Sequence, residues 1–152
     1  MSAYRKMNAV LSRDIYMIII MMEAAFYLGW ARLLLARKPF SKIAPSLGHY
    51  MEETECDFYA RHRRSLVRVR KAIHYTSRYT PWDSKCLVRA IAGMKMLERR
   101  GIESTLYLGT AKDESGRLIA HAWLRSGALY ITGDQEMDRY TVTGMFAKVI
   151  HY

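Results

Sequence analysis

Apolar residues recur along this chain in two rhythms, and the change from one to the other divides it. Up to Gly101 the spacing is helical. Residues 15–35, IYMIIIMMEAAFYLGWARLLL, are apolar on nearly every side, which predicts one long helix from Ser12 to Ala36. Pro39 in RKPF ends it, because a proline disfavours a helical conformation at the preceding Lys38. SKIAPSLGHY then reads as a break. From Met51 to Arg78, Phe58, His62, Leu66, Val69 and Ile73 follow steps of three and four, predicting an amphipathic helix with Glu52, Glu53 and Glu55 near its positive end. A third helix is predicted over Cys86–Arg100, with Leu87, Ala90, Ile91, Met94 and Leu97 inward and Gly101 as terminator. Beyond Gly101 the period shortens to that of strands: STLYLGT, LIAHAWLR after the turn-rich KDESGR, and ALYITGD after Ser126-Gly127. The class is therefore α+β, helices followed by an antiparallel meander. The division expected is an N-terminal helical region over residues 1–50 and a second domain over residues 51–152.

Composition narrows this only slightly. With 152 residues, 51% of them hydrophobic and 25% charged, the chain is globular. Its net charge of +10 suits an acidic partner. Arg61, Arg63, Arg64, Arg68, Arg70 and Lys71 form a basic run, but no recognition motif or aromatic platform accompanies it, so nucleic acid is not the expected partner. Glu23 and Arg32 interrupt the apolar segment, so a transmembrane span is not expected, and association with a membrane surface is the lesser reading. There is no cleavage site of the secretory type. Cys56 and Cys86 lack the spacing of a disulfide scaffold or a zinc site, which fits a reducing cytoplasm.

The candidate chemistry lies in PWDSKCLVRAIAGMKMLERRG. A Pro-Trp turn and a cap at Asp83 or Ser84 deliver Cys86 into the first turn of a helix, where free amides and the macrodipole favour a nucleophilic sulfur. A nucleophile needs a base, and the base an orienter. His121 in LIAHAWLR shares a strand face with Trp123, and a hairpin near Ser126-Gly127 brings residues 132–134 opposite it. A bulge at Gly133 would then let Asp134 hold the imidazole tautomer. Each residue has a plainer reading: Cys86 as a small buried hydrophobe, His121 as a structural histidine, Asp134 as the turn residue of GDQEMD. Trp82 and Trp123 suit the wall of a substrate cleft or core packing equally. Cys56, mid-helix without a predicted base, reads as a packing residue.

Taken jointly, PWDSKCLVRA, a helix ending in RRGI, an apolar strand, AHAW and a hairpin ending in GD resemble the transglutaminase-like leader peptidases of bacterial lasso-peptide biosynthesis. ARLLLARKPFSKIAPSLG looks like the region preceding their catalytic domain. The resemblance runs from about Leu28 to Tyr152. It implies a papain-like cysteine peptidase core, with the catalytic cysteine at a helix N-terminus packed on an antiparallel sheet and preceded by N-terminal helices. Carried over, Cys86 is the nucleophile, His121 the general base and acid, and Asp134 the orienter, with neither metal nor organic cofactor. The substrate implied is a ribosomally made precursor peptide whose leader is removed so that an asparagine-synthetase-like cyclase can close the ring. The residues before Cys86 read as helices rather than as a leader-reading domain, which resembles the split form that works with a separate leader-binding protein. A transglutaminase-fold acyltransferase and a non-catalytic basic binding module are the competing functions.

Overall fold

The computed structural model describes residues 3–57, 60–81 and 85–151, without the side chains of residues 4, 7 and 9–11. The N-terminal helix, α1, runs over Ala3–Arg37, longer than expected at its start. It is followed by a single turn, α2 (Phe40–Ile43), a 3-10 turn at Ala44–Leu47, and a two-residue strand, β1 (His49–Tyr50). Two further helices, α3 (Arg63–Tyr79) and α4 (Cys86–Arg99), precede four strands: β2 (Ser104–Lys112), β3 (Leu118–Ser126), β4 (Leu129–Thr132) and β5 (Thr141–Lys148).

All five strands form one sheet in the order β1-β5-β2-β3-β4, each pair antiparallel. The α+β class and the meander β2-β3-β4 are thus as expected. Strand β5 is an addition, lying beside β2 with Leu106 opposite Phe146. Leu106, Ala122, Leu124 and Ile131 are buried beneath α3 and α4, and Gly93 of α4 sits against Leu124, Ile73 and Ile131. Ala90, Ile91, Met94 and Leu97 face this core as predicted, whereas Leu87 is only half-buried.

An apolar helix with no polar face would ordinarily be buried all round, but α1 is not. Ile20, Ala24, Leu28 and Ala31 pack on α3 and α4, while Ile15, Ile18, Ile19, Met22, Phe26 and Leu33 remain exposed. Glu23 is not a defect in this helix. Its two carboxylate oxygens accept hydrogen bonds from Arg100 at 2.8 and 2.7 Å, tying α1 to the end of α4. By length and composition Ser12–Arg37 is also long and apolar enough to cross a membrane, with a mean hydropathy of 1.7.

The helix expected over Met51–Arg78 is shorter than its pattern. Residues 52–57 form neither helix nor strand, and the α-helix begins at Arg63. The reason lies across the sheet. Thr54 bonds through its amide and hydroxyl to the Thr105 hydroxyl, Glu53 accepts from Tyr107, and the Arg125 guanidinium takes the carbonyls of Thr54 and Glu55. Those side chains and carbonyls are engaged by the sheet rather than by a helical ladder. Cys56 lies in this strap and is exposed, so it is neither mid-helix nor a packing residue.

Candidate active site

Helix α4 opens at Cys86. Lys85 occupies the N-cap position in extended conformation, and its own side chain makes no capping hydrogen bond. The predicted cap residues Asp83 and Ser84, and the candidate wall Trp82, lie outside the described residues. Cys86 is half-buried and packs against the core through the first turn of α4.

His121 lies on β3 opposite Gly109 of β2, three residues beyond the last β3–β4 pair at Leu124 and Thr132. Its ring is held from two sides. Trp123 stacks on it at 5.9 Å between centroids, and Tyr140 at 4.9 Å. Trp123 stacks in turn on Tyr107 at 5.5 Å. Trp123 is buried, and its indole passes over Gly109, where a Cβ would stand 2.9 Å from two indole carbons and from the Tyr140 Cβ. A side chain at residue 109 would separate the rings that fix the imidazole plane.

The foot of this stack is polar and closed. The Tyr107 hydroxyl donates to Glu53 at 2.7 Å and accepts from the Arg125 Nε at 2.9 Å. Burial and the carboxylate of Glu53 push the Tyr107 hydroxyl up to about 12, against the opposing pull of Arg125. The remaining Arg125 donors reach the carbonyls of Thr54, Glu55 and Gly127.

The orienting contact of His121 is made by the backbone. Its Nε2 lies 2.8 Å from the Gly133 carbonyl oxygen. A carbonyl only accepts, so Nε2 carries the proton and, in the neutral ring, Nδ1 is left as the acceptor. Gly133 has φ 75, and a Cβ there would stand 2.5 Å from the Ala122 carbonyl oxygen, so the turn that presents this carbonyl requires glycine. Asp134, the next residue, turns to α3 instead: its Oδ2 is 3.4 Å from an Arg70 Nη, while the other Nη of Arg70 donates to the Tyr130 carbonyl at 2.8 Å. The strand irregularity falls between Leu124 and Arg125 rather than at Gly133.

His121 and Asp134 share one cavity of about 440 Å³, bounded by Arg70 and His74 of α3, the 131–136 turn, and Arg89 of α4. Trp123 does not line it. Arg89 stands one helical turn after Cys86. Sequence reasoning did not single out Arg70, Arg89, Tyr140 or the Gly133 carbonyl; only Arg89, three residues from the thiol in CLVRA, carried a usable signal, since residues that far apart share a helix face. Among the described residues, no three His, Cys, Asp or Glu side chains gather as a metal site.

A helix opening on a cysteine and packed against an antiparallel sheet that carries a pinned histidine is the framework on which the family comparison bears. The description of the transglutaminase-like superfamily matches residues 28–145. The chain belongs to that superfamily. Members of the superfamily are usually cysteine peptidases or acyltransferases, and membership agrees with the α+β, papain-like arrangement of helices on a five-stranded antiparallel sheet. The match begins at Leu28, inside α1, and so takes in only the C-terminal end of that helix. No curated protein and no solved structure gives a significant match to this member of the superfamily.

Proposed function

We propose that this protein is a cysteine peptidase that removes the leader from a lasso-peptide precursor, working with a separate leader-binding protein and an asparagine-synthetase-like cyclase. The observation that carries the peptidase chemistry is the His121 Nε2–H to Gly133 hydrogen bond, which leaves Nδ1 to act as base for a thiol. The pathway rests on the resemblance of PWDSKCLVRA, AHAW and the hairpin ending in GD.

In this reading the Cys86 sulfur attacks the scissile carbonyl carbon as its proton passes to His121. Backbone amides at the start of α4, that of Cys86 among them, receive the developing oxyanion. The imidazolium then protonates the departing amine, the C–N bond breaks, and a thioester remains. Water, deprotonated by His121, hydrolyses it and restores the thiol. Asp134, paired with Arg70, keeps its turn in place and adds negative charge beside the imidazolium.

The test is a lasso-peptide precursor of the proposed class, incubated with the protein and a leader-binding protein and followed by mass spectrometry. Wild type and Cys56→Ala should release the leader, and Cys86→Ala should not. Cleavage by Cys86→Ala would overturn the proposal, and a leader joined to an added amine in place of a free carboxylate would identify an acyltransferase.

A further inference from the structure

One polar group at the cavity has no role in the chemistry above. The Nε of Arg89 is buried and has no hydrogen-bond partner among the described residues. The Arg89 amide is used by the helix, donating to the Lys85 carbonyl at 3.0 Å, but among the described residues no carboxylate pairs with the guanidinium. Asp134, which lines the same cavity, is paired with Arg70. Glu136, the other acid there, is exposed at the rim of the turn. A guanidinium donor withdrawn from water without an acceptor is destabilising, and the deficit is removed when a ligand brings the acceptor.

We propose that Arg89 is the substrate-reading residue of this cavity, and that it receives the carboxylate of an acidic side chain in the peptide bound beside Cys86. Three features fix that chemistry. Nε and a neighbouring Nη present two parallel donors, a geometry that matches a carboxylate in bidentate fashion. Arg89 lies at i+3 from Cys86 and so on the same face of α4, although Cys86 itself is not among the residues lining the cavity. Lys71 on the facing helix lines the same space and adds a cation there beside the Arg70–Asp134 pair. The inference rests on the peptidase reading only in taking the ligand to be a peptide.

The thiol itself supplies a test that needs no turnover. In a Cys56→Ala background Cys86 is the only cysteine, and its alkylation by iodoacetate, a carboxylate, is compared with alkylation by neutral iodoacetamide. The ratio of the two rates cancels differences in thiol reactivity. It should fall about tenfold in Arg89→Gln, the equivalent of losing one charge-assisted hydrogen bond. Arg89→Lys, which keeps the charge and loses the fork, should fall between. On precursor peptides, one acidic-to-amide substitution near the cleavage point should raise KM about tenfold for the wild type and leave KM of Arg89→Gln unchanged.

An alkylation ratio equal in wild type, Arg89→Lys and Arg89→Gln would overturn the proposal, and so would a peptide series in which every acidic-to-amide change acts alike on wild type and Arg89→Gln. If the protein cleaves no peptide but the ratio still falls, carboxylate binding by Arg89 stands and the peptidase assignment is what fails. Should Arg89→Gln not fold, the ratio in Arg89→Lys decides alone.

Discussion

Gly133 meets two demands at one position. Its backbone must turn through φ 75 against the Ala122 carbonyl, and its own carbonyl must face the His121 Nε2. Gly133→Ala should therefore reduce turnover more than its effect on stability explains, because a displaced carbonyl releases the tautomer. Asp134→Asn keeps the turn and an acceptor while losing the charge opposite Arg70, so it should retain residual turnover. The expected order of loss is His121→Ala, then Gly133→Ala, then Asp134→Asn, read from initial rates of leader release beside thermal unfolding of each variant. Full rate in Gly133→Ala would show that the imidazole is oriented by another group. Tyr107, at the foot of the ring stack, predicts a pH dependence of another kind. Its folded value near 12 lies above its ordinary 10.0, so the folded state holds this proton more tightly. The resulting stabilisation is fully present below 10 and is lost as pH rises toward 12. Denaturant midpoints followed through that window should fall more steeply for wild type than for Tyr107→Phe.

At the scale of elements, a single carboxylate adds a polar tie to the apolar packing of α1 on α4. Glu23 receives a bidentate fork from Arg100 and lies 3.5 Å from Arg99, with its side chain only 11% exposed. Glu23→Gln keeps the shape and removes the charge, and should lower stability by about 2 kcal/mol, the usual size for a partly buried hydrogen bond to a charged group. Denaturant unfolding of the two proteins measures it; an unchanged midpoint would mean that apolar packing alone holds α1. Glu23 also shows what a sequence can disclose. Within an apolar run it stands out as a charge that needs a partner, yet nothing local points to arginines 76 or 77 residues away. The elements with strong local rhythm, α4 and β2 to β4, are legible for the opposite reason: Leu, Ile and Met at helical steps, and β-branched and aromatic residues between turn signals, define them without distant partners. The strap over 52–57 and strand β5 are defined by what they meet across the sheet, so helical spacing misassigns the first, and the second stays unread. The same division runs through the site. Cys86 and His121 sit in recognisable local settings, whereas the Arg70 and Arg89 side chains acquire meaning only when α3, α4 and the 131–136 turn enclose one cavity.

Taken whole, the molecule carries a charge of +10 and two surfaces whose composition suits association. One is the outer face of α1, where Ile15, Ile18, Ile19, Met22, Phe26 and Leu33 are exposed along the helix. The other is a basic groove of about 580 Å³ between α1 and α3, lined by Arg13, Met17, Arg63, Arg64, Arg68 and Lys71, with Arg68 lying 4.3 Å over the Tyr16 ring. A peptidase that depends on a separate leader-binding protein gains its rate by having the scissile bond presented at high local concentration, and under the proposed function these two surfaces are the candidate docks. The two contact types respond differently to conditions. An acidic partner on the groove is attracted through screened charges, so Arg64→Glu with Arg68→Glu should raise the partner concentration needed for half-maximal cleavage, most strongly at low salt. An apolar partner on α1 is held by area removed from water, so Ile19→Ser with Met22→Ser should raise it to a similar extent at every ionic strength. The measurement is cleavage rate against partner concentration, at two salt concentrations, for both double variants. Complete cleavage by the isolated chain, unchanged on adding the leader-binding protein, would remove the need for either dock and leave Cys86 and His121 as a self-sufficient peptidase.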